Sequence, residues 1–247
     1  MFKLDGDDNM TFSYPEIEIF KAPEDLSVFE RATRTCYKSE DKMKDGSDLG
    51  LLNMIMSKGH TAMIEFIDDL VVRFKASRGV THELVRMRLC SFAQESQRFV
   101  KYDSIDFMIP HWLSKTGLKE IDNVDRDLFV SACRDSATNY KLRIESGWKP
   151  QDARGCLNND VSALINMKTN MREWLHIFDL RCDAPAHPDM RVLMVGLLGH
   201  LNNNNRIVKA LLLHKPELQR DLDWFNETHS LYYKNENHFV IVSDRDL

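Results

Sequence analysis

The chain has 247 residues, of which 43% are hydrophobic and 29% are charged, a composition typical of a globular protein with a substantial buried core. The formal net charge of −5 argues against a protein that binds nucleic acid or membranes through a broadly positive surface. No apolar run approaches the roughly 20 residues that a transmembrane helix requires, and the acidic start MFKLDGDDNM is unlike a signal peptide.

The five cysteines are scattered along the chain and form no CxxC pair. Their odd number and wide spacing favour neither a disulfide framework nor a zinc ribbon. We therefore expect free thiols, a reducing cytoplasmic location and no metal site.

The first half of the chain mixes predicted strands and helices. EIEIFKA (16–22) alternates as a strand does. Residues 22–38 predict a helix, with Pro23 near its start, acidic residues in its first turn and basic residues later. The elements predicted next are a helix over 48–59 ended by Gly59, a strand over 66–76, and a helix over 79–89 for which Thr81 is a possible cap.

The second half is predominantly helical in pattern. The predicted helices run from about 124 to 146 before Gly147, from 171 to 181, and from the end of APAHPDMR (184–191) to about 200. Residues 1–13 are predicted to be loose, and residues 14–247 to form one domain on which further helices pack from about 201. Helices outnumber strands without alternating regularly with them, which favours an α+β fold over a doubly wound sheet. Neither a Gly-rich dinucleotide fingerprint nor a P-loop occurs.

RMRLCSFAQESQRF, which starts at Arg86, concentrates three arginines among serines and glutamines. Arginine presents a planar fork that holds phosphate or carboxylate oxygens. Arg86 and Arg88 lie two residues apart, so on a helix they point to different sides. If the helix ends here, residues 91–98 form a loop whose amides and hydroxyls can hold a phosphate and read the edge of a base. The alternative is a solvated helix end whose arginines pair at the surface with Glu83 and Glu95.

REWLHIFDLRCDAPAHPDMR is a second arginine-rich segment, with an apolar stripe and the three arginines Arg172, Arg181 and Arg191. In the alternative interpretation Asp179 and Asp189 neutralise two of these arginines on a solvated helix face. The chain has no HExxH helix and no GxSxG elbow, so the sequence predicts neither a metal centre nor a covalent hydrolase.

These segments occur in the order and spacing of a known family. Arg86-Met87-Arg88 is followed by seven residues and then Ser96, which is similar to the Arg-His-Arg, seven residues, Ser signature of the flavin-dependent thymidylate synthases. The chain resembles that family in segments that together cover most of residues 16–200. These segments are RATRTCY (31–37), GHTAMIEF (59–66), VTHELVRMRLCSFAQESQRFV (80–100), KPQDARGCLNND (149–160), TNMREWLHIFDLR (169–181) and AHPDMR (186–191).

The resemblance implies a single α+β domain with a mixed or antiparallel sheet flanked by several helices, and a homotetramer with active sites between subunits. It implies FAD as the cofactor, with NADPH and 5,10-methylene-tetrahydrofolate as co-substrates, in the reductive methylation of dUMP to dTMP. In this family no enzyme nucleophile attacks the uracil ring, because hydride delivered to the ring activates it. We accordingly expect small-molecule substrates, and neither nucleic acid nor a membrane as partner.

Carried over position by position, the resemblance assigns the segment around Arg86 to dUMP. Ser96 and Arg98 are expected on or near its phosphate, and Arg191 against the uracil carbonyl, with Arg191 and Arg86 acting in the reaction itself. The residues expected to bind dUMP are Glu83, Arg86, Gln94, Ser96, Gln97, Arg98 and Arg191. The residues expected around FAD or the folate are His60, Glu65, Arg86, Met87, Arg88, Asp179, Arg181 and His187.

The chain departs from the family's pattern mainly on the cofactor side. Met87 replaces the signature histidine, Ala62 stands where Ser or Thr is usual, and Phe66 stands where a second histidine is usual. Asn158 and Leu175 replace a common proline and arginine. These changes leave two further hypotheses open. One is a relative that modifies another pyrimidine deoxynucleotide, by hydroxymethylation or by acting on dCMP, and the other is a homologue that binds nucleotides without turnover.

Overall fold

The computed structural model describes residues 9–113 and 123–243. Its strands are β1 Met10–Ser13, β2 Glu16–Lys21, β3 Leu70–Ser77, β4 Ser91–Gln94, β5 Ile105–Met108, β6 Ser162–Thr169, β7 His229–Asn235 and β8 His238–Ser243. Its helices are α1 Ser27–Tyr37, α2 Ser47–Ser57, α3 Arg78–Leu84, α4 Asn123–Glu145, α5 Pro150–Ala153, α6 Met171–Arg181, α7 Pro188–Asn204, α8 Arg206–Leu212 and α9 Pro216–Thr228. Short 3-10 turns cover Glu40–Lys42, Thr61–Phe66, His111–Leu113 and Arg154–Cys156.

The main sheet has six strands in the order β4-β6-β3-β2-β8-β7, and each neighbouring pair is antiparallel. The residues of strand β3 alternate in burial: Leu70, Val72 and Phe74 are fully buried, while the residues between them are half-buried. This alternation gives the strand one face for the core. A second sheet consists of the parallel pair β1 and β5. The α+β prediction with a largely antiparallel sheet is therefore confirmed.

Helix α7 lies at the centre of the main core. Residues 192–201 are buried without interruption, as expected for a helix enclosed on all sides. Its Gly196 lets β8 approach closely, since a β-carbon there would lie 2.6 Å from Cδ1 of Ile241. No helix in the described ranges is long and apolar enough to cross a bilayer.

A second, smaller core forms where α4 packs against β1 and β5. Its largest members include Phe107, Phe129 and Tyr140, all buried. Burying an aromatic or aliphatic side chain of this size stabilises a fold by roughly 1.5–3 kcal/mol. In this core the Tyr140 hydroxyl accepts from the backbone amide of Tyr102, which follows the arginine-rich segment in the chain.

The two ends of the chain differ from the sequence prediction. Residues 1–13 were expected to be loose, but Met10–Ser13 forms β1, because Met10 is fully buried and the hydroxyls of Thr11 and Ser13 donate to Asp106. Residues 1–8 lie outside the described residues. Helices α8 and α9 follow residue 204, where further helices were predicted. No strand was predicted for residues 229–243, which form the hairpin β7–β8 and join the main sheet through β2.

Several predicted boundaries also shift. Helix α6 has the predicted bounds, and the Asn170 side chain caps it by accepting from the amide of Glu173 at 3.0 Å. Helix α3 ends at Leu84 rather than residue 89. Its cap is Ser77, not Thr81, because the Ser77 hydroxyl accepts from the Val80 amide at 3.2 Å.

The remaining differences are shorter. Strand β3 starts at Leu70, four residues later than predicted, and α1 starts at Ser27, beyond Pro23. Helix α7 starts at Pro188, inside the segment after which it was predicted to begin. Residues 91–94, predicted as loop, form the edge strand β4 because they pair with β6.

Candidate active site

The arginine-rich segment connects α3 to the edge of the main sheet. Arg86 and Arg88 lie between α3 and β4, and Arg98 follows β4. All three side chains are exposed, and none forms an ion pair with another residue of 9–113 or 123–243. The alternative of surface pairs with Glu83 and Glu95 is thus not what the described residues show. These three guanidinium groups, none of them neutralised by an ion pair among the described residues, form a local concentration of positive charge in a chain that is acidic as a whole.

The polar side chains of this segment are partly ordered by the chain itself. The Gln94 amide donates to the Thr81 hydroxyl at 2.6 Å. The Ser96 hydroxyl accepts from the Arg98 amide at 3.3 Å, which fixes the turn that carries Arg98. Gln97 is buried, so its side chain is largely covered by the protein itself.

The second arginine-rich segment contacts α3, the helix that precedes the first one. The Arg181 guanidinium pairs with Glu83 on α3 at 3.6 Å, and the next residue, Cys182, accepts from Nε of Arg191 at 2.8 Å. Arg191 also pairs with Asp221 at 2.8 Å. The structure therefore links Glu83, Arg181 and Arg191, which are far apart in sequence, through consecutive contacts.

Arg191 is held rigidly before any ligand arrives. Its guanidinium lies 3.8 Å from the ring centre of Trp224, in addition to its bonds to Asp221 and to the Cys182 carbonyl. Trp224 and Asp221 belong to α9, and no motif in the sequence points to that helix as part of the site. A cation held by packing and hydrogen bonds is suited to stabilising charge that develops on a bound substrate.

An open cleft of about 410 Å³ lies between the 3-10 turn Thr61–Phe66 and α6. Its lining includes Glu65, Leu89 and Asp179, so two predicted cofactor residues and one residue of the arginine-rich segment meet here. Glu65 pairs with Arg172 at 2.6 Å, and Asp179 pairs with Lys215 at 2.6 Å. Neither of the two aspartates suggested as partners of the arginines pairs with one among the described residues: Asp179 pairs with Lys215, and the carboxylate of Asp189 accepts from the His111 amide at 2.6 Å.

Two buried polar atoms near this region have no hydrogen-bond partner among the described residues: Oδ1 of Asp179 and Nε of Arg181. Leaving such atoms unsatisfied costs roughly 1–3 kcal/mol each. Both belong to residues expected around FAD or the folate, and a bound molecule with polar groups could satisfy them. Nε of Arg181 would donate to an acceptor and Oδ1 of Asp179 would accept from a donor, and FAD carries groups of both kinds, so these residues fit it.

Three other predicted residues lie apart from that cleft's lining. His60 is exposed, and its Nδ1 lies 2.8 Å from the hydroxyl of Tyr37. His187 caps α7, its Nδ1 accepting from the Asp189 amide at 3.3 Å. Met87 is half-buried and packs against the main core.

Cysteine chemistry has no support at this site. Burial raises the pKa of the Cys90 thiol to about 11, so the thiol stays protonated at neutral pH and is a poor nucleophile. Among the described residues no cluster of His, Cys, Asp and Glu could hold a metal ion.

Comparison with known proteins identifies the family of the chain. Residues 19–204 match the family described as thymidylate synthase complementing protein. The flavin-dependent thymidylate synthase of Geobacter sulfurreducens is 31% identical over 207 residues, covering 81% of this chain and 82% of that protein. The chain belongs to the flavin-dependent thymidylate synthase family. Another flavin-dependent thymidylate synthase, from Clostridium tetani, is 30% identical and covers 72% of this chain and 78% of its own.

A solved structure agrees with this flavin-dependent thymidylate synthase assignment at the level of fold. The UMP/dUMP methylase PolB of Streptomyces cacaoi, solved with 5-Br dUMP bound, superposes with a TM-score of 0.68 at 18% identity. The match covers 83% of this chain and 97% of that chain.

Proposed function

We propose that the protein is a flavin-dependent thymidylate synthase that methylates dUMP to dTMP. The methylene group comes from 5,10-methylene-tetrahydrofolate and the reducing equivalents from NADPH, with FAD as the bound cofactor. Family membership supports this activity. The observation that carries it in the structure is the arginine-rich segment, where Arg86, Arg88 and Arg98 are exposed and unpaired among the described residues. An anionic nucleotide is the kind of ligand that such a segment would neutralise.

In this proposal Ser96 and Arg98 hold the dUMP phosphate. The Ser96 hydroxyl keeps its own proton to donate, since in the structure it accepts from the Arg98 amide. The Arg98 guanidinium would donate charge-assisted hydrogen bonds to the phosphate, which are stronger than hydrogen bonds between neutral groups. Glu83, Gln94 and Gln97, with Arg86, would contact the nucleoside part, where amides and carboxylates can read the polar edge of uracil.

Arg191 would lie against the uracil carbonyl. Its bonds to Asp221 and the Cys182 carbonyl fix its orientation, so little reorganisation is needed as negative charge grows on the ring. Arg86 is the second arginine that we expect to act directly on the reacting pyrimidine.

FAD would be held by His60, Glu65, Arg86, Met87, Arg88, Asp179, Arg181 and His187, some of which would face the folate instead. The unpartnered Nε of Arg181 and Oδ1 of Asp179 support this assignment, as do the exposed arginines, which suit the cofactor's phosphates. When bound, FAD supplies hydride chemistry that amino-acid side chains cannot provide.

We further propose that residues 14–247 act as one catalytic domain and that the active enzyme is a homotetramer with sites between subunits. Hydrogen bonding of β8 to β2 supports the first point. Two apolar side chains of the arginine-rich segment support the second: Leu89 is 75% exposed and Phe99 is 80% exposed. Exposed apolar groups beside a binding segment are typical of an interface. The cytoplasm is the expected compartment, because all five thiols are free.

The test is product analysis with purified protein, FAD, NADPH and methylene-tetrahydrofolate, offering dUMP and dCMP side by side. Mass spectrometry should find dTMP alone. A hydroxymethylated nucleotide or a product from dCMP would support the alternative of a divergent relative. Nucleotide binding with no product would support the alternative without turnover, and the proposal would be wrong in either case.

A further inference from the structure

The residue just before Ser96 is held at several points. Oε1 of Glu95 accepts from the Tyr102 hydroxyl at 2.7 Å, and its Oε2 accepts from the Leu164 amide of β6 at 3.4 Å. Its backbone also takes part. The Glu95 carbonyl accepts from Arg78 at the start of α3 at 3.2 Å, and its amide donates to the carbonyl of Leu164 at 2.9 Å. We call this set of contacts the Glu95 clasp.

Tyr102 connects the clasp to the second core. Its backbone amide donates to the Tyr140 hydroxyl at 3.3 Å, and the two rings lie 6.0 Å apart. Tyr140 is buried in that core. Burial, and then the hydrogen bond to Glu95, raises the pKa of Tyr102, so its hydroxyl remains a donor at all physiological pH values.

The position of Glu95 raises an electrostatic problem that the clasp solves. A carboxylate next to a phosphate-binding serine would repel the phosphate. Here both carboxylate oxygens are bound by donors from Tyr102 and Leu164, which hold the charge against β6. The neighbouring Ser96 and Arg98 stay available to the ligand.

We propose that Tyr102 and Glu95 are positioning residues for the dUMP phosphate. The inference rests on the proposed function. The clasp fixes the turn that carries Ser96 and Arg98, so that less conformational freedom is lost when the phosphate binds. Because the effect is confined to the phosphate, the clasp should act on dUMP and leave binding of deoxyuridine, which lacks the phosphate, almost unchanged.

The experiment measures equilibrium binding of dUMP and of deoxyuridine to the full chain loaded with FAD. The variants are Tyr102→Phe, Glu95→Ala, their double mutant and Glu95→Gln. Tyr233→Phe is the matched control, because it also removes a tyrosine hydroxyl. Tyr233 lies in the β7–β8 hairpin at the other edge of the sheet, where its hydroxyl is 3.3 Å from Nδ1 of His200 in α7. Turnover at saturating dUMP is measured in parallel.

Tyr102→Phe and Glu95→Ala should each raise the Kd of dUMP about five-fold or more, because the turn that carries Ser96 and Arg98 must then be ordered as the phosphate binds, whereas deoxyuridine affinity and kcat should change less than about two-fold. The double mutant should bind no more weakly than the weaker single variant, because the two side chains act as a unit. Glu95→Gln should recover part of the affinity, since its amide oxygen still accepts from Tyr102. The control should bind as wild type does.

Wild-type affinity in Tyr102→Phe, an equal loss of dUMP and deoxyuridine affinity, or multiplied effects in the double mutant would each overturn the inference while leaving the proposed function intact. If Glu95→Ala does not fold, the dUMP and deoxyuridine affinities of Tyr102→Phe alone decide whether the inference holds. A wild-type protein that binds no dUMP would overturn the proposed function and the clasp's role together.

Discussion

Replacing Arg98 by alanine should weaken dUMP binding strongly while the chain stays folded. The Arg98 side chain is exposed, and its described contact is with the ring of Phe99, whose centre lies 5.4 Å from the guanidinium carbon. An exposed contact of this kind contributes about 0.5–1 kcal/mol, so its loss should barely change thermal stability. The larger effect of Arg98→Ala should be a weaker affinity for dUMP.

The size of that effect follows from the charge of the partner. A hydrogen bond to a charged group contributes roughly 1.5–3 kcal/mol, which corresponds to a Kd increase of roughly 10- to 150-fold. Ser96→Ala removes a neutral hydroxyl and should cost less, roughly several-fold. Isothermal titration of dUMP into the FAD-loaded protein measures both changes.

Two controls separate a phosphate contact from a general charge effect. Arg98→Lys keeps the charge but loses the fork, and should fall between wild type and alanine. Arg220→Ala removes an exposed arginine from α9, outside the residues that match the family, and should leave dUMP affinity unchanged. Equal dUMP affinity in wild type and Arg98→Ala would show that the phosphate assignment is wrong.

Three further predictions concern other parts of the chain. Met87→His should lower the Tm without tightening FAD, because the half-buried Met87 packs against the core and a polar imidazole would lose part of that packing; tighter FAD in a titration would contradict this. Asp160→Asn should raise the Tm at pH 7, since burial, and then Asp189, raises the pKa of Asp160. The folded state then favours the protonated acid, stability is lost as pH rises through the folded pKa, and the advantage of Asn should shrink in melts at lower pH. Gly196→Ala should destabilise the fold by about 1–3 kcal/mol in denaturant titrations because its β-carbon would meet Ile241, whereas Gly199→Ala, whose nearest contact is 3.6 Å away, should not.

Elements with complete local signals could be predicted from the sequence. Helix α6 has a capping Asn170, an amphipathic pattern and a clear end, and its predicted bounds match the structure. Strand β6 was missed because Leu164 interrupts the apolar alternation and is half-exposed in the sheet. Strand β4 forms only through its pairing with β6, which no local pattern encodes.

The hairpin β7–β8 has a readable local signal, although no strand was predicted there. Tyr232 and Tyr233 precede the turn, and the strongly β-forming run Phe239–Val242 follows it. Its place in the sheet depends on Glu16–Glu18 of β2, more than 200 residues earlier in the sequence.

In the candidate site, too, some residues could be grouped from the sequence and others only from the structure. Residues close in sequence, such as Ser96 and Arg98, could be grouped by spacing and by family resemblance. The contacts of Arg181 with Glu83 and of Arg191 with Asp221 could not, because they depend on how α6, α7 and α9 pack.

The most direct test of the central claim is reconstitution of the full reaction. Purified protein, FAD, NADPH, methylene-tetrahydrofolate and dUMP are combined, with each component left out in turn, and dTMP is quantified. We predict that dTMP forms only in the complete mixture, and that Arg191→Ala abolishes its formation. A complete mixture that yields no dTMP, from protein that is folded and binds FAD, would contradict it.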